Sequence, residues 1–324
     1  MARESPLRYV RGLVLDDLLQ KTSRTFALTI PLLREPTRTE VGIAYLLFRV
    51  ADTLEDATRW TPDRKVRELQ DLARCLEESG GEAHADGASV LAARWNDPAP
   101  LDHAGYRELL AAFPEVVRAA RGLSEDARPL IAGHTARTCR AMASFVVREG
   151  GQGGLRLRDV EDLKAYCYAV AGIVGEMLTE LFLLNEGRLR AIAPELRRDA
   201  ATFGEALQLV NILKDAAADA VEGRAYLPAG VPRADVFAIA RRDLVAAAGY
   251  CARLEQAGAD GSLVAFTALP VLLAKATLDR VEAHGPGARI GRAEVGAIVA
   301  ELQGAVPRRS VEALLGRTLA ATPR

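Results

Sequence analysis

Aromatic residues are scarce in this 324-residue chain, 5% of the total against 49% hydrophobic residues of all kinds. The apolar part is therefore mostly Ala, Leu and Val, a mixture that favours helices over the aromatic and β-branched surfaces of sheets. Charge of one sign is lacking too, since 42 basic and 43 acidic side chains leave a formal net charge of -1. No broad positive field steers the protein towards nucleic acid, and an anionic ligand has to be met by a local cluster. Only four cysteines occur, Cys75, Cys139, Cys167 and Cys251, far apart and without the paired spacing of zinc or disulfide frameworks, so they read as reduced core thiols. His84, His103, His134 and His284 are equally scattered, which argues against a histidine metal site. Met1 to Gln20 is charged and amphipathic, with no apolar core followed by small residues, and the expected location is the cytoplasm. The most apolar stretches are not clean spans of about 20 residues. Cys167–Leu184 is interrupted by Glu176 and Glu180, and Leu263–Leu278 by Pro270 and Lys275.

Apolar residues recur every three or four positions through Val41–Ala57, Leu163–Leu184 and Ala201–Ala220, and no strand-like alternation of any length is present. The chain is expected to be all-α. Three segments rich in Gly, Pro or small polar residues read as loops: Ser79–Gly105, Glu149–Arg158 and His284–Arg292. Ser79–Gly105 has the length of a domain linker, but the functional groups lie on both sides of it and make sense only together. A single domain over 1–324 with a long surface loop is therefore expected.

Two helical segments carry polar stripes. Tyr45, Arg49, Asp52 and Asp56 are four, three and four residues apart, on one helix face, while Leu46, Leu47, Val50 and Leu54 take the others. Gln208, Asn211, Asp215 and Asp219 repeat the pattern with spacings of three, four and four. Carboxylates four residues apart repel and weaken a helix by a few tenths of a kcal/mol, so a compensating cation is expected. Mg²⁺ suits the position, because it takes hard oxygen ligands from one or two carboxylates together with substrate phosphates and water. Two facing helices of this kind would hold several Mg²⁺ ions with a diphosphate between them. A single Asp-x-x-x-Asp run would more often be a solvated face; two runs in apolar helices make that reading poor. Basic groups adjoin both stripes: Arg24 after Ser23, Lys214 within the second helix, and Arg224 with Tyr226 just beyond it. Arg24, Arg49 and Arg224 are the stronger phosphate candidates because guanidinium presents a rigid fork of donors.

These segments, taken in order, resemble the squalene and phytoene synthase family. The likeness runs through Ser23-Arg24-Thr-Phe26-Ala, Tyr45 to Asp56, Tyr166-Cys-Tyr-Ala-Val-Ala-Gly172-Ile-Val-Gly175, Gln208 to Asp219, Gly223-Arg224-Ala-Tyr226-Leu-Pro228, and Phe266 to Leu278. Any one piece is weak; the ordered series is specific. The resemblance implies an isoprenoid synthase fold, helices around a central apolar cavity capped by the two aspartate helices. It also implies Mg²⁺-assisted loss of diphosphate from one allylic substrate, and attack on the resulting cation by a second substrate to give a cyclopropylcarbinyl diphosphate. A dry aliphatic cavity would keep water from the carbocation.

On the same basis Tyr166 matches a tyrosine concerned with proton removal, Tyr45 and Arg49 line the ionisation site, and Phe266 shields a cation. Ser23, Arg24, Phe26, Gln208, Asn211, Lys214, Arg224, Tyr226, Gly172 and Gly175 fall at substrate-binding positions, and Asp52, Asp56, Asp215 and Asp219 at metal positions. From spacing alone, Tyr166 and Phe266 would be core residues, and Gly172 and Gly175 would serve tight helix packing as readily as a substrate chain. Asp-Thr-Leu-Glu-Asp and the segment from Pro270 to Leu278 look more squalene-type than phytoene-type, so farnesyl diphosphate is preferred to geranylgeranyl diphosphate. Lys214 stands where an arginine is usual, and Ala218 where an acid often precedes the last aspartate. Members of the family quench the second ionisation with hydride from NADPH, with water or by proton loss, and the sequence does not choose among squalene, hydroxysqualene and dehydrosqualene. A non-catalytic assembly factor and a terpene cyclase or chain elongator are the rival classes. Peripheral membrane contact for product release is expected, and monomer and homodimer are equally open.

Overall fold

The computed structural model describes residues 15–23, 25–78, 82–149 and 155–321, and these form two compact units, 1–151 and 152–324. Helices dominate as expected. Among the described residues no strand forms, and the sole β-type pairing is an isolated bridge between Arg156 and Ala225.

The first unit contains α1 (Leu15–Thr22), α2 (Phe26–Thr29), α3 (Thr37–Glu55), α4 (Pro62–Glu77), α5 (Glu82–Trp95), α6 (Ala104–Ala111), α7 (Phe113–Arg121) and α8 (Ala127–Glu149). Neighbouring helices enclose α3 almost completely. From Thr39 to Leu54 every residue is buried except Tyr45, Arg49 and Asp52. Such enclosure is what an apolar helix with a single polar stripe demands, because its hydrophobic arc is too wide for one neighbour to cover. Pro62 at the first position of α4 and Thr61, whose hydroxyl accepts the Arg64 N–H at 3.3 Å, start the next helix.

The expected loop at 79–105 is corrected by α5. Gly87 and Asp86 weaken the helix signal of its alanines, and Gly and Pro flank it, but its C-terminal end is fixed by tertiary contacts. Arg94 pairs with Glu68 (Nε to Oε2, 2.9 Å) and with Asp71, and Trp95 donates its indole N–H to the fully buried Glu68 at 3.0 Å. The Trp95 ring packs on Phe113 at 4.8 Å. Burial of this indole outweighs the weak local propensity.

The second unit contains α9 (Val160–Cys167), a π-helical turn (Tyr168–Gly172), α10 (Ile173–Asn185), α11 (Ala193–Val221), α12 (Arg233–Gln256), α13 (Gly261–His284), α14 (Arg292–Ala305) and α15 (Val311–Ala320). Asp159 caps α9 by accepting the Asp162 N–H at 2.8 Å. Two glycines let α10 and α11 come together at the level of the backbone. A Cβ on Gly175 would lie 2.0 Å from the Ala200 carbonyl oxygen, and one on Gly204 would lie 2.0 Å from that of Ala171. The predicted loop after His284 is present, with Gly285 and Gly287 at positive φ. Of the loop predicted at 149–158, residues 150–154 lie outside the described residues, and Leu155 to Arg158 are irregular apart from the bridge.

The stretches Val160–Asn185 and Gly261–His284 are long and apolar enough to cross a membrane, although the sequence reading did not class them as clean spans. Most of each is buried within the protein, as core helices are.

Candidate functional site

In the first unit the polar stripe of α3 is assembled as its spacing predicts. Asp56 caps the helix, its N–H donating to the Asp52 carbonyl at 2.8 Å. Arg49 is the centre of the group: its Nε donates to the Tyr45 hydroxyl at 3.2 Å and its Nη1 lies 3.3 Å from Asp52 Oδ2. Tyr45 in turn donates to the Thr22 carbonyl at 2.8 Å, and the Phe26 ring packs on it at 5.4 Å. Ser23 caps the short α2, accepting the Phe26 N–H at 2.9 Å. Arg24 lies outside the described residues.

Loss of water raises the Asp52 carboxyl from 3.8 to about 6, a rise opposed by Arg49 and reinforced by the charge of Asp56. The side chain still keeps 31% of its surface accessible, so a ligand can reach it. Arg49 stays cationic because Asp52, then the hydroxyls of Tyr45 and Tyr106, outweigh the cost of burial. A separate cleft of about 540 Å³ in this unit lies against Leu47, on the far side of α3 from the stripe, with Cys75, Val117 and Ile131 in its wall. No stripe residue lines it.

In the second unit Gln208, Asn211, Asp215 and Asp219 share one accessible face of α11. This stripe is not bare carboxylate. Lys214 donates to Asn211 Oδ1 at 3.1 Å and pairs with Asp215 at 3.1 Å. Arg224 reaches Asp219 at 3.4 Å and Glu222 at 2.6 Å, while its backbone N–H donates to the Asp219 carbonyl at 2.8 Å. Gly223, at φ 82°, makes that turn. Arg49, Lys214 and Arg224 are thus each paired to a stripe aspartate.

The Leu155–Arg158 strand-like segment fixes the residues that follow α11. The Ala225 N–H donates to the Leu155 carbonyl at 2.7 Å, and the Leu157 N–H to the Ala225 carbonyl at 3.2 Å. Tyr226 is thereby laid on Tyr166, rings 4.8 Å apart and hydroxyls 3.3 Å apart, both buried. Phe266 is buried on α13, edge-on to Phe182 at 6.1 Å. Gly172 and Gly175 take the packing role: a Cβ on Gly172 would meet the Tyr168 ring at 2.8 Å, and Gly175 faces the Ala200 carbonyl.

Sequence reasoning missed Tyr106, whose ring centroid is 5.7 Å from the Arg49 guanidinium, and His103, stacked on Tyr106 at 4.0 Å. No signal marked either one, because both lie at the edge of the segment taken for a loop. The cysteines fall largely as expected: Cys139, Cys167 and Cys251 are buried, which pushes their thiols up, and Cys75 is half-buried.

The donor set on each stripe suits a hard cation. Among the described residues no three Asp, Glu, His or Cys side chains converge closely enough to hold an ion alone. Two carboxylates per stripe, completed by phosphate oxygens and water, match the way Mg²⁺ is usually held. A raised, partly desolvated Asp52 beside a second carboxylate is also relieved by any cation that binds.

The family model for squalene/phytoene synthase matches residues 19–298. The squalene synthase of Yarrowia lipolytica is 31% identical over 284 residues, 82% of this chain and 60% of that protein. That of Schizosaccharomyces pombe is 31% identical over 214 residues, 65% of this chain and 43% of that protein. The chain thus spans about half the length of the curated relatives it matches. Among solved structures, the complex of TcSQS with the ligand E5700 superposes with a TM-score of 0.73 at 24% identity, covering 95% of this chain and 92% of that one. A dehydrosqualene synthase in complex with ligand gives 0.57 at 19% identity, covering 91% and 95%. These likenesses establish the all-helical fold.

Proposed function

Because the chain belongs to the squalene/phytoene synthase family, we propose that it joins two farnesyl diphosphates head to head, 1′ to 1, forming presqualene diphosphate and then squalene. The observation that carries this reading is the α3 stripe: between Thr39 and Leu54 the helix opens to solvent only through Tyr45, Arg49 and Asp52, with the capping Asp56 one turn beyond. A buried helix that keeps paired carboxylates and a guanidinium at its single opening is built for a charged ligand.

In the proposed reaction the allylic C1–O bond of one substrate breaks, its electron pair leaving with the diphosphate. The double bond of the second substrate attacks the cation, and loss of a proton closes the cyclopropane. Asp52 and Asp56, with Asp215 and Asp219, would hold Mg²⁺. Bound Mg²⁺ supplies neutralisation of the charge that gathers on the departing diphosphate. Arg49 and Arg224 orient phosphate oxygens with their forked donors, and Lys214 adds a point charge. Ser23, Arg24, Phe26, Gln208 and Asn211 complete the substrate contacts. The Tyr166–Tyr226 hydroxyl pair is assigned the relay of the lost proton: the Tyr166 oxygen would accept it as the Tyr166 phenol proton passes to Tyr226, whose own proton goes to an oxygen of the departed diphosphate. Phe266 shields the cation with its ring face. NADPH belongs to the proposal as hydride donor in the second half-reaction, and a cytoplasmic location with peripheral membrane contact as its setting.

Incubation with farnesyl diphosphate and Mg²⁺, with and without NADPH, tests the proposal by mass spectrometry of the extracted products. A C30 hydrocarbon formed only with NADPH is the expected result. The cyclopropyl alcohol, hydroxysqualene or a dehydro product in both tubes would keep the condensation and replace the quench. No diphosphate release from farnesyl or geranylgeranyl diphosphate by folded protein would overturn it.

A further inference from the structure

A continuous column of rings runs through the first unit with Arg49 in it. Phe26 on α2 packs on Tyr45 of α3 at 5.4 Å. The Arg49 guanidinium carbon lies 5.5 Å from the Tyr45 ring centre and 5.7 Å from that of Tyr106 on α6. His103 stacks on Tyr106 at 4.0 Å and 27°. A guanidinium over one ring is free to swing out towards solvent; over two rings contributed by different helices it is held in one plane, because leaving either face forfeits a cation–π contact.

Both rings are themselves anchored to the end of α1. The Tyr45 hydroxyl donates to the Thr22 carbonyl at 2.8 Å. One residue earlier, α6 docks where Gly105 leaves no side chain: a Cβ there would lie 2.9 Å from the Lys21 carbonyl oxygen. Lys21 reaches along α6 to Glu108, with Nζ 2.8 and 3.0 Å from the two carboxylate oxygens. His103 caps α6, its Nδ1 accepting the Tyr106 N–H at 3.3 Å, so the same histidine fixes the backbone and covers the outer face of the ring. The Tyr106 ring is half-buried, and burial pushes its phenol up against the opposing charge of Arg49, so it remains a neutral ring beside the guanidinium.

We propose that Tyr106 is a positioning residue for Arg49: its ring, held by His103 and by the docking of α6 on α1, keeps the guanidinium turned towards Asp52 and the diphosphate oxygens. The diphosphate part of this inference rests on the proposed function. The ring face is what matters and the hydroxyl is dispensable, since the contact with Arg49 is made through the π system.

Three variants and two readouts test it. Tyr106→Phe keeps the face, Tyr106→Leu removes it, and Tyr106→Met replaces Leu should that variant fail to fold. The first readout needs no substrate: the Nε–H resonance of Arg49, identified as the signal absent from Arg49→Lys, is expected to be ring-shifted and slow to exchange in the wild type and in Y106F. In Y106L it should move towards the free-arginine position and exchange faster. The second readout is Mg²⁺-dependent diphosphate release, where Y106L should lose about tenfold in kcat with KM little changed, because the oriented guanidinium serves the charge that develops on departure. Y106F should stay within about twofold of wild type by the same reasoning. An unmoved Arg49 resonance in Y106L, or equal losses in Y106F and Y106L, would overturn the proposal. A wild type that releases no diphosphate would overturn the functional reading instead, and the resonance would still decide the role of Tyr106.

Discussion

The two aspartate stripes share a spacing and differ in their surroundings. Between Thr39 and Leu54 the α3 stripe is the only opening to solvent, and burial there lifts Asp52 to about 6. The α11 stripe lies on a helix whose last two turns, Lys214 to Val221, contain no fully buried residue, and Lys214 and Arg224 pair directly with Asp215 and Asp219. We propose that a cation gains more at Asp52, whose carboxyl burial has already raised and whose partner Arg49 is shared with Tyr45 and Tyr106, than at Asp215 and Asp219, where it competes with Lys214 and Arg224. On this proposal the first stripe takes metal before substrate arrives, and the second does so once a diphosphate draws Lys214 and Arg224 away from the aspartates.

The largest expected effect follows from this difference. Asp52→Asn or Asp56→Asn should reduce diphosphate release from farnesyl diphosphate by about a thousandfold. Asp215→Asn or Asp219→Asn should cost about ten- to a hundredfold. Single-turnover release of labelled diphosphate measures both, and equal losses on the two helices would erase the contrast.

A smaller effect concerns stability without metal. The Asp52 carboxyl titrates higher in the folded protein, about 6, than its ordinary 3.8, so protonation favours the fold. That contribution is complete below the ordinary value and is lost as pH rises through about 6. The Tm of metal-free protein should therefore fall across this window, and Asp52→Asn should abolish the fall and be the more stable form at neutral pH. Thermal melts with and without Mg²⁺ check it, since the ion should restore what deprotonation removes. Smallest of all should be Lys214→Arg, which supplies the residue expected at that place in the family; a change in kcat of no more than about threefold is predicted, because either cation can pair with Asp215.

Much of this was legible in the sequence because it depends on neighbours along the chain. Val41–Ala57 foretold α3, Leu163–Leu184 the α9–α10 run, and Ala201–Ala220 the stripe of α11. Intrahelical spacing alone puts Tyr45, Arg49, Asp52 and Asp56 on one face. What was missed depends on contacts between distant segments. α5 is held by Glu68 and Asp71 of α4 acting on Arg94 and Trp95, so local composition hid it. Tyr106 matters through a ring face that touches Arg49 from another helix, and no periodicity encodes that. The π-helical turn at Tyr168–Gly172 was likewise invisible, although Gly172 at its end and Gly175 in the first turn of α10 were read as packing or substrate positions.

Gly175, with Gly204 across from it, sets a limit on how this protein can vary. Where Gly175 meets the Ala200 carbonyl and Gly204 meets that of Ala171, the distance between α10 and α11 is fixed by main-chain atoms, which are the same whatever residues are chosen around them. Any side chain at either glycine would have to push the two axes apart, whereas the partly exposed Val174 takes no part in this contact. The spacing of the two helices is therefore written into two positions, and a substitution there is felt along their whole length.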